Sequence, residues 1–332
     1  MIVLTEAGLY VPEADVYIDP WKGVPRAILT HAHSDHTRKG SSHYLCSESG
    51  LSLTRERLGK KANIETLPYG RAIYRNGIKI SLHSAGHILG SAQVRIESKG
   101  KTTVISGDYK TVSDPTCTPI EILKCDTFLS EATFAKPYYV WENPEFIFQN
   151  ILNYILENKN QDAITVLYGY SLGKAQRILK GLSIIAESRG IDLDFFVHDS
   201  ILSMNTRYEE SGILLPKTKS IEQWSADSEN HFVFITPPGT PIPNPNFKKI
   251  RSAFCSGWMQ LSKNRKKGSF SKGFTLSDHA DWNELIQTIS ATEAEEILLT
   301  HGDTKDIVRF LCEKGKNAKT LKTKFHSKES EF

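Results

Sequence analysis

Short apolar runs separated by turn residues fill the first third of the chain. Segments such as "VYID", "RAILT", "IKISLHSA" and "TTVISGD" are four to eight residues long, and turns with Gly, Asn-Gly or Lys-Gly separate the runs. Runs of this length with turn residues between them are typical of β-strands, and Asn76-Gly77 is a hairpin signal. "SESGLSLTRERLG" has a helical pattern that ends at Gly59. The pattern therefore predicts a meander of short strands, interrupted by one helix.

The pattern changes after Glu131, where longer helical segments alternate with strands. "NPEFIFQNILNYILENKN" and "SLGKAQRILKGLSIIAESRG" carry apolar residues at helical spacing, and "AITVLYGY", "DLDFFVHD" and "HFVFITPP" are apolar runs of strand length. This alternation predicts a parallel sheet with crossover helices. We predict two strands in "GFTLSDHADW" and "ATEAEEILLTHGD" and a helix in "DIVRFLCEKG". These elements are expected to rejoin the first sheet. We thus expect residues 136–266 to form an α/β unit inserted between 1–135 and 267–332 of one domain.

Composition excludes several classes of protein. The 332 residues contain no apolar run near the roughly 20 residues that cross a bilayer, so neither a membrane span nor a membrane partner is expected. The N-terminus has early acidic residues and no basic start before a long apolar stretch, so no secretory signal is expected. The five cysteines show no CxxC spacing, which argues against disulfide frameworks and cysteine zinc sites. A cytoplasmic location is the expectation.

The net charge of +3 is small, but positive charge is concentrated in one segment. Residues 247–277 contain eight Lys or Arg and no Asp or Glu. Such a segment is either a solvated loop or a surface that attracts phosphate groups.

The segment "ILTHAHSDHTRKG" carries the densest group of metal-binding side chains: His31, His33, Asp35 and His36. In an extended segment alternate side chains point the same way, so the first three can share a face, with His36 reaching in from the turn. Imidazole nitrogen and carboxylate oxygen suit zinc, iron or manganese. The spacing predicts a metal site.

These four ligands are more than one ion normally takes from a single loop, and the chain offers further candidates. His87 in "SAGHILGSA", Asp108 in "VISGDY" and His301 in "LLTHGD" each follow an apolar strand and stand next to Gly. Their shared position predicts that they complete the site.

Together these residues resemble the metallo-β-lactamase fold. Asp19 in "YIDP", the HxHxDH signature at 31–36, His87 and Asp108 occur in the order of its four metal-binding motifs. Glu131 in "SEATFA", His279 in "LSDHADW" and His301 resemble the three further motifs of the β-CASP branch, whose members are nucleases. The resemblance covers the whole chain and implies a fold of mixed α/β (α+β) class. This fold is an αββα sandwich with an inserted α/β cap domain.

The resemblance also implies roles for single residues. One divalent ion would be held by His31, His33, His87 and Asp108, and a second by Asp35, His36, Asp108 and His301. Zn²⁺ is the first expectation for both ions and Mn²⁺ the alternative. Asp19 would orient ligands from behind through hydrogen bonds.

Two such ions polarise a phosphoryl group and activate water, and the leaving sugar oxygen then still needs a proton. His279 is the candidate acid and Glu131 the residue that orients it, while Asp35 is a candidate to take the proton of the attacking water. Without the family pattern, "SDHADW" also resembles a helix start in which Ser277 or Asp278 is the cap and the histidine is incidental.

The inserted unit offers a candidate phosphate contact. In "YGYSLGKAQRI", Ser171 and Lys174 stand at a predicted helix N-terminus, where free N–H groups suit a phosphate. The alternative is an ordinary capped helix with an exposed lysine. With the basic segment and the aromatic residues Tyr168, Tyr170 and Trp258, this unit could bind single-stranded nucleic acid.

The predicted function is therefore hydrolysis of phosphodiester bonds in nucleic acid. Phrases such as "LGKAQR", "SGWM" and "SDHADW" resemble the ligase-associated DNA exonucleases of bacteria, which implies a DNA exonuclease in repair, with a DNA ligase and a helicase of the same pathway as partners. The histidine at position 301, in the third β-CASP motif, however, resembles the residue found there in the RNA-processing members. RNA cleavage is therefore the main alternative. A small-molecule hydrolase of the same sandwich would lack the long insertion and the "SDHADW" motif.

Overall fold

The chain folds into two compact units in a computed structural model that describes residues 2–224, 231–240, 249–261, 264 and 270–324. One unit comprises Met1–Val140 and His279–Phe332, and the other is Trp141–Asp278. The ends of the insertion predicted from the sequence are residues 136 and 266. Among the described residues, none of the helices combines the length and apolar character that a bilayer span requires.

The first unit contains two sheets, and the first sheet follows chain order. Its strands are β1 (Val3–Thr5), β2 (Gly8–Val11), β3 (Val16–Ile18), β4 (Arg26–Ile28), β5 (His43–Ser47) and β6 (Ile64–Leu67). Strands β3 to β6 run parallel. The loops that follow β3 and β4 therefore leave the same edge of this sheet.

The second sheet of this unit is mixed. Its strands are β7 (Ala72–Arg75), β8 (Ile78–Ser84), β9 (Ala92–Ser98), β10 (Lys101–Ile105), β11 (Thr127–Glu131), β18 (Glu296–Thr300) and β19 (Asn317–Thr320). They lie in the order β19-β18-β11-β10-β9-β8-β7. Asn76 and Gly77, both at positive φ, form the predicted hairpin turn between β7 and β8. Strands β10, β11 and β18 are parallel, so their C-terminal ends share one edge.

Helices cover the outer faces of the two sheets. Ile18 and Leu45 of the first sheet belong to the same buried cluster as Ile80 and Val94 of the second, so the sheets pack face to face. Helix α1 (Leu51–Leu58), which ends at Gly59 as predicted, contributes Leu58 to a cluster on the first sheet. Two helices, labelled α5 (Trp282–Ala291) and α6 (Lys305–Glu313), pack on the second sheet. The layers form the predicted αββα sandwich.

The second unit is built on a parallel sheet. Its strands are β12 (Ile164–Tyr168), β13 (Leu193–Val197), β14 (Thr218–Ser220), β15 (His231–Thr236), β16 (Ile250–Cys255) and β17 (Lys272–Phe274), in the order β14-β13-β15-β12-β16-β17. Its helices are α2 (Pro144–Lys159), α3 (Lys174–Ser188) and α4 (Asp199–Glu210). Every described strand pair in it is parallel. The predicted α/β class is confirmed.

Two predictions about this unit need correction. The segment "GFTLSDHADW" was expected to rejoin the first sheet, but β17 instead pairs with β16, and Phe274 is buried in the core of the second unit. Helix α4 was not predicted. Its N-cap is His198, whose Nδ1 accepts from the N–H of Ser200, and histidine is not among the residues that usually signal a helix start.

Candidate metal centre

Loops at the C-terminal ends of strands supply the side chains of the candidate centre. Asp19 directly follows β3, and His31 to His36 follow β4 in the first sheet. Asp108 follows β10 in the second sheet, and His301 directly follows β18. Because parallel strands end at a common edge, residues far apart in the chain are brought together here.

One group of ligand atoms comes from His31, His33, His87 and Asp108, all within 4.8 Å of one another. Nε2 of His31 and Nε2 of His87 each lie 3.2 Å from Nδ1 of His33. Nε2 of His31 lies 3.4 Å from Oδ2 of Asp108. Three ring nitrogens and a carboxylate oxygen thus face a common point, a donor set that suits zinc.

A second group consists of Asp35, His36 and His301. Nε2 of His36 lies 3.7 Å from Oδ2 of Asp35 and 3.4 Å from Oδ2 of Asp108. Asp108 therefore stands beside both groups. Its Oδ1 is buried and accepts no hydrogen bond from any described residue, which is costly for a carboxylate oxygen unless a cation satisfies it. The residues present fit two divalent cations that share Asp108.

The charges of the site respond to this crowding. Burial lowers the pKa of His31 well below its ordinary value, and the neighbouring His36 lowers it further. Burial also opposes protonation of His36, but the carboxylates of Asp108, Asp35 and Asp19 outweigh it and raise the pKa of His36. In the metal-free protein a proton at His36 thus supplies positive charge where a cation fits.

Asp19 lies behind the ligands. Its Oδ2 accepts hydrogen bonds from Nδ1 of His36 at 2.7 Å and from Oγ1 of Thr30 at 2.5 Å, and its Oδ1 accepts from the Thr30 N–H at 2.8 Å. The bond to Nδ1 directs Nε2 of His36 toward the ligand group, as supporting carboxylates do around metal sites. Thr30 is not predicted as a site residue from the sequence, although its position directly before His31 is an available signal.

His279 and Glu131 form a hydrogen-bonded pair beside the first ligand group. Nδ1 of His279 lies 2.9 Å from Oε2 of Glu131, and Oε1 of Glu131 accepts the N–H of Tyr109 at 2.7 Å. Glu131 is 2% exposed, whereas the His279 side chain is 21% exposed. Asp108 is close enough for these three side chains to resemble a third metal site. Because the Glu131 oxygens already accept hydrogen bonds, the His279–Glu131 pair is better suited to holding a proton than to binding a metal ion.

Ser171 and Lys174 lie in the second unit, in surroundings that argue against a phosphate contact through Lys174. Lys174 is 3% exposed, and its ammonium group lies 2.9 Å from Oδ2 of Asp278 and donates to the carbonyl of Leu276. It is thus neither an exposed lysine nor open to a phosphate. Oγ of Ser171 is hydrogen-bonded to Oγ of Ser200 at 2.8 Å.

The basic segment is described only in part. Five of its eight Lys and Arg residues lie outside the described residues: Lys248, Lys263, Arg265, Lys266 and Lys267. Within the described part, Lys272 stacks over the ring of Tyr154 at 5.0 Å from its centroid. The ring of Tyr170 packs against Phe254.

Curated relatives resemble the chain over different lengths. A protein named "Probable DNA ligase" from Opitutus terrae is 29% identical over 94% of this chain and 30% of its own length. An RNase J-like protein from Methanocaldococcus jannaschii is 26% identical over 53% of this chain and 48% of its own length. The human DNA cross-link repair 1A protein is 24% identical over 51% of this chain and 17% of its own length. This chain thus spans less than half of each of these relatives, and no protein-family model matches it.

Proposed function

We propose that the chain is a metal-dependent nuclease of the β-CASP branch of the metallo-β-lactamase fold and that it hydrolyses phosphodiester bonds; its similarity to an RNase J-like protein and to a DNA cross-link repair protein supports this proposal. The observation that carries this proposal is the convergence of two ligand groups on Asp108, with the His279–Glu131 pair beside them. Seven side chains fit two cations, and a separate histidine is left to handle a proton.

We propose Zn²⁺ as the first candidate for both ions and Mn²⁺ as the second. When bound, such a pair stabilises negative charge on a phosphoryl group and makes a water molecule more acidic. His31, His33, His87 and Asp108 would hold one ion, and Asp35, His36, Asp108 and His301 the other.

The proton steps belong to groups of the chain itself. His279, oriented through Nδ1 by Glu131, presents its other ring nitrogen as the acid that protonates the leaving sugar oxygen. Asp35, whose side chain is 37% exposed at the rim of the ligand group, is the candidate acceptor for the proton of the attacking water. Asp19 holds His36 in place behind the ligands.

We propose DNA as the substrate and exonucleolytic action in repair. The support is the relative named as a DNA ligase, which has a region similar to nearly all of this chain. A DNA ligase, and a helicase of the same repair pathway, are the corresponding proposed partners. RNA is the second candidate substrate, because an RNase J-like protein is also a relative and His301 is present.

The test is digestion of matched single-stranded DNA and RNA of one sequence, labelled at the 5′ or the 3′ end. Each polymer is incubated with chelator-treated protein, with Zn²⁺ or Mn²⁺ added back. The variants His33→Ala and His279→Ala address the metal centre and the acid, and His326→Ala removes a histidine that has no assigned role.

We expect DNA to be shortened progressively from one end, with activity dependent on added metal and lost in His33→Ala. Faster cleavage of RNA would favour the second candidate. The nuclease assignment fails if neither polymer is cut with either metal, and the acid role fails if His279→Ala retains full activity.

A further inference from the structure

Three residues immediately before His279 are fastened to helix α3 by buried charges. Lys174 lies 2.9 Å from Oδ2 of Asp278 and donates to the carbonyl of Leu276. Arg177, one turn further along the helix, lies 3.1 Å from Oδ1 of Asp278 and donates to the carbonyl of Ser277. Every one of these contacts lies within the second unit.

These charges are unusually deep. The side chains of Lys174, Arg177 and Asp278 are 4%, 6% and 9% exposed. Burying an ion pair gives little net stability, because desolvation offsets the attraction, and apolar replacements are often as stable. What such a pair does provide is geometry: the two cations bind both carboxylate oxygens and two successive carbonyls, so the path of residues 276–278 is fixed.

The chain beyond His279 is fixed as well. The N–H of Ala280 donates to the carbonyl of Tyr109 at 2.8 Å, and Asp281 caps helix α5 through the N–H of Glu284. Tyr109 is also the residue whose N–H binds Glu131. The residue after His279 is therefore bound to the loop that carries Asp108, and the residue before it, Asp278, is bound to helix α3.

We propose that Lys174 and Arg177 are positioning residues for His279, acting through the backbone of residues 276–278. They do not contact the reacting atoms. Their role is to keep the imidazole where its proton reaches the leaving oxygen, and the inference rests on the proposed nuclease function. A displacement of about 1 Å at a catalytic group can lower a rate by about 100-fold.

The experiment compares two phosphodiesters that differ in their need for an acid. In both, water attacks phosphorus and the bond from phosphorus to the leaving oxygen breaks. A DNA oligonucleotide releases a sugar alkoxide, which must take a proton, whereas bis(p-nitrophenyl) phosphate releases p-nitrophenolate, which leaves without one. A misplaced acid slows only the first reaction, whereas a damaged metal site slows both.

The variants are Lys174→Met and Arg177→Met, with Arg177→Lys as the conservative replacement and Lys180→Met as the control on the same helix. His279→Ala gives the pattern of a missing acid. We expect kcat on DNA to fall by about 100-fold in Lys174→Met and Arg177→Met, with KM and the hydrolysis of bis(p-nitrophenyl) phosphate little changed. Arg177→Lys should recover part of the loss, and Lys180→Met should match the unaltered protein.

Equal losses on the two substrates, or no loss on DNA, would overturn the inference. Since Lys174→Met leaves a buried carboxylate with less compensation, circular dichroism and a melting curve accompany each variant. If Lys174→Met does not fold, the double variant Lys174→Met/Asp278→Asn replaces it, with the same two outcomes. Failure of the nuclease proposal looks different, because the unaltered protein would then cleave neither substrate.

Discussion

Replacing Asp19 by alanine tests whether the residues behind the ligands determine metal affinity. The substitution removes the acceptor for Nδ1 of His36 and for two donors of Thr30. Without it, the His36 ring loses the bond that orients Nε2 toward the ligand group. Loss of such a supporting partner typically weakens metal binding by about 10- to 100-fold, which is about 1.4–2.7 kcal/mol of binding free energy. The metal-free protein should also lose about 1–3 kcal/mol of unfolding free energy, because buried donors are left unpaired.

The assay is competition between the protein and a chromogenic chelator for Zn²⁺ at fixed pH, with guanidinium unfolding of the metal-free protein measured in parallel. Asp15 provides the matched control. Like Asp19 it is an aspartate with positive φ, but its carboxylate accepts hydrogen bonds from Tyr10 and Arg26 and not from His36 or Thr30. Asp15→Ala should leave Zn²⁺ affinity unchanged and cost less than about 1 kcal/mol of stability, as partly exposed ion pairs do. Wild-type Zn²⁺ affinity in Asp19→Ala would refute the reasoning.

Three further outcomes are expected. Gly107→Ala should destabilise the fold by more than Gly100→Ala. Both glycines have positive φ, but a Cβ at 107 would lie 2.7 Å from Cβ of Thr30, whereas a Cβ at 100 would have no atom within 4 Å. The free energy of unfolding is measured by chemical denaturation, and equal losses in the two variants would contradict the prediction. Glu131→Gln should lower kcat on DNA by about 100-fold with little change in metal affinity, since it alters the partner of the acid; unchanged kcat would remove Glu131 from the mechanism. Burial opposes protonation of His36, but nearby carboxylates outweigh it and raise the pKa of His36. A metal ion that binds His36 must therefore displace its proton. Metal affinity should therefore fall as the pH is lowered, and added Zn²⁺ should release protons to an indicator dye.

Much of the candidate centre is visible in the sequence because each ligand follows an apolar strand. His87, Asp108 and His301 are far apart in the chain, yet the strands before them end at a common edge: β10 and β18 are both parallel to β11, and β8 runs in the same direction as β10 because both are antiparallel to β9. Residue type and strand position suffice for that argument. Helix α2 was predictable for a similar reason, because Asn143 is its cap and Pro144 opens it.

Other features depend on partners that a local pattern does not contain. The N–H of Tyr109 binds Glu131, but any residue type offers the same backbone group. Lys174 has the sequence surroundings of an exposed lysine, and its burial is explained by Leu276 and Asp278, about a hundred residues later. Strand β17 has three residues, too few to show a periodicity, and it is recognised by its pairing with β16.

The position of β18 between β11 and β19 sets an order of events during synthesis. Strand β11 ends at Glu131, whereas β18, its parallel neighbour, begins at Glu296, after the entire second unit. A ribosome adds about 5–20 residues per second, so about 8–33 seconds pass between the synthesis of β11 and that of its neighbour β18. Until then the growing chain exposes an unpaired strand edge, which is a site for wrong pairing, and it lacks His301. All four residues of the first ligand group are therefore synthesised well before His301, and the second ligand group is completed only when β18 is added.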